Sequence, residues 1–102
     1  MGKVFVGDVG TKIRFELKFE GITVTQSDIS SVKIKYRKPN GEVGQWTATI
    51  EDDSHVYYVT KQGDIDIEGQ WILQPYIVLN TGWSGYGTAV ILKVYYPDVL
   101  QT

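Results

Sequence analysis

The chain has 102 residues, of which 42% are hydrophobic and 22% charged, the composition of one folded domain with a single core spanning residues 1–102. A net charge of -2 gives no general electrostatic reason to expect nucleic acid as a partner, and the absence of cysteine excludes disulfides and cysteine-based zinc sites. The first residues lack the apolar core of a signal peptide, and no apolar run is long enough to span a membrane. We therefore expect a protein made without an export signal and with no membrane partner.

Charged and apolar residues alternate at every step from Lys12 to Glu20. A period of two places the apolar members on one face of a β-strand, whereas a helix would scatter them around its axis. The residues predicted to face the core are Ile13, Phe15, Leu17 and Phe19. Because burial of each such side chain is worth about 1.5–3 kcal/mol, a slip of one residue in register would be very costly.

The same alternation continues from Ser31 to Lys38, and Pro39-Asn40-Gly41-Glu42 then predicts a tight reversal. Residues 43–50 are expected to return antiparallel as one strand. The inward positions of these two strands are predicted to be Val32, Ile34, Tyr36, Trp46, Ala48 and Ile50.

The second half of the chain predicts three further strands, over residues 56–60, 71–79 and 88–96, and residues 3–6 predict a short first strand at an edge. Together these give about seven strands at roughly ten-residue spacing, with no helical period anywhere. The pattern predicts an all-β fold, an immunoglobulin-like antiparallel sandwich of two sheets, with a small barrel as the other possibility.

Two stretches are similar to a known family. The first runs from Val6-Gly7-Asp8 through the strand at Ile13 to Lys38-Pro39-Asn40-Gly41, and the second is the segment from Gly63 to Trp71. They resemble the small immunoglobulin-like domains of bacteriophage tails, and most nearly the N-terminal domain of the phage baseplate upper protein family. The resemblance implies a non-catalytic structural or assembly module of the tail or baseplate, made in the host cytoplasm and located in the virion. Its partners would be other phage structural proteins or a second copy of the chain.

The pattern Asp66-x-x-Gly69-x-Trp71 is similar to the turn that precedes strand F of immunoglobulin domains. In those domains an aromatic side chain locks the corner, and Trp71 would take the place of the usual tyrosine. We expect Ile65 or Ile67 of the same loop to be tucked into the core.

Few residues of the sequence suggest catalysis or metal binding. His55 beside Ser54 has neither a nucleophile elbow nor a glycine-rich oxyanion loop, so we do not expect an enzyme. Asp64, Asp66 and Glu68 offer carboxylates at alternate positions but lack the spacing of a calcium loop. The sequence therefore predicts neither a metal site nor a cofactor, and a solvated loop at these carboxylates.

Basic residues follow two of the predicted strands. These are Lys12, Arg14 and Lys18 on the first, and Lys33, Lys35, Arg37 and Lys38 on the second. On neighbouring strands of a barrel they would form one basic face for nucleic acid. In an immunoglobulin topology the two strands belong to opposite sheets, so we expect the charges to keep the surface soluble and its edges protected.

Aromatic residues are more numerous than a small core needs. Trp83 and Tyr86 flank a glycine-rich turn, where they are candidates for contact with a sugar or a protein partner. This gives an alternative function, a carbohydrate-binding module that attaches to a host surface and uses Trp46 as well. In the simpler alternative, Trp83 folds back over the end of the sandwich.

The last two long strands carry apolar residues on both faces, and their outward members predict an exposed patch that serves as a protein interface. The candidate interface residues are Ile72, Tyr76, Val78, Ile91 and Tyr95. Alternatively, the segment Val99-Leu100 covers part of this patch.

Overall fold

The computed structural model describes residues 3–19 and 21–100, in which nine strands and two short 3-10 turns form. The strands are β1 Val4–Phe5, β2 Lys12–Glu16, β3 Ile29–Arg37, β4 Val43–Thr47, β5 Thr49–Asp52, β6 His55–Val59, β7 Gly69–Leu79, β8 Ser84–Tyr86 and β9 Val90–Tyr95. The 3-10 turns are Gln26–Asp28 and Asp98–Leu100. No helix within the described ranges has the length and apolar character needed to cross a membrane.

The strands form two sheets. The large sheet has the order β1-β9-β7-β3-β4, with β8 added beside β7, and the small sheet has the order β2-β6-β5. All pairs are antiparallel except β1 with β9, which is parallel. The predicted two-sheet β-sandwich is confirmed, including the placement of β2 and β3 in different sheets and the pairing of β7 with β9.

Alternation in the sequence determines which side of each strand faces the core. In β2, Ile13 and Phe15 are buried while Lys12, Arg14 and Glu16 are exposed. In β7 the buried side chains are Trp71, Leu73, Pro75, Ile77 and Leu79. Each sheet therefore has one dry face towards the other sheet and one face towards solvent.

The strand count is higher than predicted for two reasons. The segment predicted as one strand over residues 43–50 is divided at Ala48, so that β4 belongs to the large sheet and β5 to the small one. The backbone N–H of Ala48 still donates to the carbonyl of Val32 at 3.3 Å. The alternation of side chains continues unbroken through this crossing, which is why the sequence pattern does not mark it. The second reason is β8, which forms inside the glycine-rich turn and pairs with β7.

Aromatic rings from both sheets join at the centre of the sandwich. Trp46 of the large sheet stacks on Tyr58 of the small sheet, with ring centroids 4.6 Å apart and planes 8° from parallel, and Trp71 lies 6.1 Å from Trp46. The indole N–H of Trp71 donates to the carbonyl of Ile67 at 2.9 Å, and Ile65 is buried. The predicted aromatic corner is therefore present, closed by tryptophan. Because Trp46 is in the core, its predicted contact with sugar is wrong.

Candidate functional site on the outer face of the large sheet

The register of the large sheet arranges its solvent-facing side chains, here called the outer face, in cross-strand rows. One row contains Val43, Arg37, Ile72 and Ile91. The next contains Gln45, Lys35 and Gln74, and the third contains Thr47, Lys33, Tyr76 and Tyr86. A cation of β3 stands within every row, so Lys33, Lys35 and Arg37 form a ladder along the strand, called below the β3 ladder.

Within the part of the chain that the structure describes, the β3 ladder has no acidic partner. Lys33 Nζ donates to Thr47 Oγ1 at 2.8 Å, and Lys35 Nζ donates to Gln45 Oε1 at 2.5 Å. Among residues 3–19 and 21–100, no carboxylate lies within ion-pair distance of Lys33, Lys35 or Arg37. No described carboxylate therefore neutralises these three positive charges.

The basic residues of the small sheet are arranged differently. Arg14 Nε donates to Glu51 Oε2 at 2.8 Å, and Lys12 Nζ lies 3.2 Å from Glu51 Oε1, both reaching across β6. Lys12 also lies 4.5 Å from the ring centroid of Tyr57. The hydrogen bond from Arg14 lowers the pKa of Glu51 below its ordinary value. On this face, the cations are neutralised by the protein itself.

A shallow groove of about 620 Å³ lies on the outer face beside the β3 ladder. Its lining combines cations, side-chain amides and apolar groups: Lys35, Tyr36, Arg37, Val43, Gly44, Gln45, Ile72, Gln74 and Tyr86. Gly44 is required there because a Cβ at this position would collide with the ring of Tyr36. The groove thus places aliphatic surface directly beside positive charge.

The residues predicted as a protein interface all lie on the outer face, at different distances from the groove. Ile72 and Ile91 are opposite each other in register and are 40% and 55% exposed. Tyr76, Val78 and Tyr95 are half-buried. Tyr95 is in another part of the face, where Phe5 packs against it with ring centroids 6.0 Å apart. The tail residues Val99 and Leu100 are themselves 91% and 60% exposed, so they do not cover the patch.

The two aromatic residues predicted as sugar or partner contacts have separate surroundings. Trp83 makes an edge-to-face contact with Phe19 at 5.6 Å and lies over Gly85, which is the folded-back alternative. Tyr86 is 55% exposed and stands 4.7 Å from Tyr76, with the two rings tilted by 51°. The structure therefore brings Tyr86, but not Trp83, to the groove.

Lys38 does not belong with the other cations of its strand, contrary to prediction. It is only 8% exposed and lies 2.9 Å from Asp66 and 3.7 Å from Glu42, above the ring of Trp71. Its hydrogen bond to Asp66 raises the pKa of Lys38. The two-residue alternation could have predicted this burial, because residue 38 lies on the same inward face as residues 34 and 36.

Asp64, one of the remaining polar candidates, has partners within the fold. Asp64 accepts hydrogen bonds from the hydroxyl of Tyr58 at 2.5 Å and from the backbone N–H of Lys61 at 2.7 Å. In the ranges that the structure covers, no three His, Asp or Glu side chains converge on a point where a metal would bind.

His55 and its neighbours close a turn. His55 Nδ1 lies 3.0 Å from Asp52 Oδ1, and the same oxygen accepts a hydrogen bond from the backbone N–H of Ser54 at 2.8 Å. That backbone hydrogen bond is the main cause of a lowered pKa for Asp52. The arrangement fixes the β5–β6 connection and directs no described nucleophile towards His55.

Apart from Ile72, the amide and aliphatic members of the groove were not identified from the sequence. Gln45, Gln74 and Val43 have no distinctive motif, and they join the β3 ladder only through the pairing of β4 and β7 with β3. Alternation alone places Lys33, Lys35 and Arg37 on one face. The register between strands was needed to show what lies beside them.

Comparison with known proteins supports the fold. No protein-family model matches the sequence, and a search of curated proteins found no similar chain. Among solved structures, CopC from Methylosinus trichosporium OB3b is similar, with a TM-score of 0.59 and 12% identity over 99% of this chain and 91% of that one. At this identity the likeness shows the β-sandwich fold alone.

This comparison overturns the phage interpretation. CopC of Methylosinus trichosporium OB3b, a solved structure similar to this chain, is not a tail or baseplate protein. The motifs behind the earlier resemblance, Gly7-Asp8, Lys38-Pro39-Asn40-Gly41 and the entry into Trp71, are turn chemistry that recurs wherever strands reverse. Membership of the baseplate upper protein family, a structural role in a tail and location in the virion are therefore wrong. The alternative of a host-attaching sugar module loses the proposed contact at Trp46, which is buried, while Trp83 packs against Phe19.

Proposed function

We propose that this protein is a non-catalytic binding module that takes an anionic ligand on the outer face of its large sheet. The observation that supports the proposal is the β3 ladder, in which Lys33, Lys35 and Arg37 have no carboxylate partner among the described residues. A chain with 12 acidic and 10 basic residues has carboxylates enough to pair such cations. On this face, none of the described carboxylates pairs with them.

The neighbouring positive charges of the β3 ladder repel one another, and a bound anion reduces this repulsion. Like charges that neighbour one another on a sheet face repel, and they destabilise the strand that holds them. An anion that enters between them converts repulsion into attraction and adds charge-assisted hydrogen bonds, which are stronger than neutral ones. Arg37 adds a planar fork of donors suited to two-point contact with a carboxylate or similar group.

The groove supplies the second component of a binding site. Its aliphatic lining at Val43 and Ile72 removes apolar ligand surface from water, while Gln45 and Gln74 supply orienting polar groups. Both requirements of a ligand site, apolar contact and a few directed polar groups, meet beside the cations. Among the side chains that commonly act as an acid, base or nucleophile, the groove lining contains lysine and tyrosine but no His, Asp, Glu, Ser or Cys, so it holds no nucleophile paired with a histidine or carboxylate base.

Two double variants with equal net charge test the proposal. Lys35→Gln with Arg37→Gln removes two cations from the outer face, and Lys12→Gln with Arg14→Gln removes two from the small sheet. Binding of fluorescently labelled poly-glutamate, polygalacturonate and oligo-deoxythymidylate is measured by anisotropy at low ionic strength. We expect at least one polyanion to bind, with about tenfold weaker affinity in the first variant and less than twofold change in the second.

Two results would contradict the proposal. One is that none of the three polyanions binds to the unmodified protein. The other is an equal loss of affinity in both double variants, because that outcome would reflect net charge and not a defined face.

A further inference from the structure

Resting on this proposed function, we infer that the ligand is an acidic polypeptide segment that binds in an extended conformation along β3, with acidic side chains at alternate positions facing the β3 ladder. The partner is defined by its chemistry, a strand-like segment with carboxylates on one side. The inference is drawn from the spacing of Lys33, Lys35 and Arg37, from the rings beside them and from the aliphatic row.

The spacing of the ladder matches an extended chain. Alternate residues of a β-strand stand about 6.6–6.8 Å apart on the same face. An extended peptide has the same repeat, so carboxylates at its positions i, i+2 and i+4 fall opposite Lys33, Lys35 and Arg37 when it runs along β3. Contiguous acidic residues would alternate between the two sides of such a peptide and present fewer charges to the ladder.

Two of the ladder cations are already held in place. Lys33 is anchored by Thr47 and Lys35 by Gln45, each through one hydrogen bond from Nζ. A lysine ammonium has three donors, so each retains two for a ligand. Because the side chains are ordered before binding, less rotamer entropy is lost when a carboxylate arrives.

The rings beside the ladder favour a peptide over a sugar or a nucleobase. Sugars and bases stack on flat, open aromatic faces. Here the rings of Tyr76 and Tyr86 are tilted by 51°, and the ammonium of Lys35 lies 5.2 Å from the centroid of Tyr76. Only Tyr86 of this pair is largely exposed, so the face offers no extended platform.

The aliphatic row supports the same choice. Val43, Ile72 and Ile91 are all exposed and stand in the row of Arg37. Aliphatic groups gain from contact with other aliphatic side chains, whereas a phosphodiester or uronate chain offers little apolar surface there. A peptide supplies carboxylates and aliphatic side chains from one backbone.

Two peptides of identical composition test the inference. The first, Ser-Glu-Ser-Glu-Ser-Glu-Ser, places three carboxylates on one side when extended. The second, Glu-Ser-Ser-Glu-Ser-Ser-Glu, has the same charge but places consecutive carboxylates on opposite sides. Each carries a terminal fluorophore, and affinity is measured by anisotropy at low ionic strength for the unmodified protein and for the two double variants described above.

We expect the alternating peptide to bind about fivefold more tightly than its isomer, because it makes more ion pairs at once. That preference should disappear in the Lys35→Gln, Arg37→Gln variant and persist in the Lys12→Gln, Arg14→Gln variant. Circular dichroism verifies that both variants remain folded.

Other outcomes separate this inference from the proposed function. Equal affinity for the two peptides, still dependent on Arg37, overturns the extended alignment and leaves the anionic site in place. Binding of polygalacturonate or oligo-deoxythymidylate, with no binding of either peptide, overturns the peptide assignment alone. Failure of all these probes overturns both.

Discussion

The outer faces of both sheets carry basic residues, but the charges of these residues are balanced in different ways. On the small sheet, Lys12 and Arg14 meet at Glu51, whose pKa is lowered by the contact. On the large sheet, Lys33 and Lys35 bond only to neutral side chains of β4. The comparison separates charge that the fold neutralises from charge that remains available to a ligand.

Net charge would have hidden this difference. The net charge of -2 makes the chain mildly acidic. On the outer face of the large sheet, however, every charged residue of the described strands is a cation. Because surface fields act over about one Debye length, roughly 8–10 Å in ordinary buffers, local arrangement matters more to a ligand than the sum.

The largest expected effect concerns the core that holds both faces in position. Trp46→Ala removes the ring that joins the sheets by stacking on Tyr58, and we expect it to lower the free energy of unfolding by about 3–5 kcal/mol. Trp83→Ala is the matched control, since Trp83 is 37% exposed and packs at one end of the sandwich. Urea denaturation measures both. Equal losses would show that the two sheets do not depend on a shared aromatic centre.

The sequence predicted this centre only in part. Alternation placed Trp46 and Trp71 inward, and the corner motif predicted that Trp71 locks the corner; its hydrogen bond to the carbonyl of Ile67 was seen only in the structure. It did not show the crossing at Ala48, because a strand that changes sheets keeps its period of two. Turn motifs led to the wrong family, since Gly, Pro and Asn at reversals obey backbone sterics that unrelated folds share.

For the candidate site, alternation supplied the β3 ladder but not its neighbours. The outward apolar residues of β7 and β9 were predicted, while Gln45 and Val43 required the register of β4. Pairing of Arg14 with Glu51 likewise depends on two strands separated by β6. These are tertiary contacts between different strands, so the alternation of residues along one strand does not predict them.

The next largest effect on stability concerns the hydroxyl group of Tyr58, which forms a hydrogen bond within the protein. Tyr58 donates its hydroxyl proton to Asp64, and burial is the main cause of a raised pKa for Tyr58. Tyr58→Phe should cost about 1 kcal/mol at neutral pH through loss of this hydrogen bond. Guanidinium denaturation at pH 7 measures the loss, and an unchanged free energy of unfolding would contradict the assigned role.

The raised pKa of Tyr58 predicts that the stability of the protein decreases at alkaline pH. In the folded state this pKa exceeds the ordinary value of 10.0, so the contribution of Tyr58 is fully present below pH 10 and is lost as pH rises above it. Lys38, whose pKa is also raised, adds a second component above its ordinary value of 10.5. Tyr58→Phe should therefore reduce the decline in stability between pH 9 and 11 without removing it. An identical decline in the variant would be inconsistent with this account.

A smaller effect is a difference in melting temperature between variants of the two faces. Arg14→Gln breaks the contact with Glu51 and should lower the melting temperature by a few degrees at low salt. Arg37→Gln removes an unpaired charge and should leave the melting temperature unchanged or slightly higher. Calorimetry with and without added salt measures both, and salt should reduce the Arg14 effect. An equal decrease for both variants would remove the distinction between the faces.

The smallest expected effect is on the stability of the protein at acidic pH. The pKa of Glu51 is lowered from its ordinary value of 4.5, so its contribution to stability is complete above that pH and is lost as pH falls through the lowered value. Glu51→Gln should therefore flatten the decline in stability between pH 5 and 3. Thermal melts across this range measure the slope. A steeper decline in the variant would show that Glu51 is not held in its charged form.

The most direct measurement is a titration of the isotopically labelled protein with hexaglutamate, followed by amide chemical shifts at low ionic strength. The account predicts that the perturbed amides cluster in β3, β4 and the facing part of β7, around Lys35 and Arg37. Perturbation centred on β2, β5 and β6, or spread evenly over the protein, would contradict the claim that the large sheet presents the available charge.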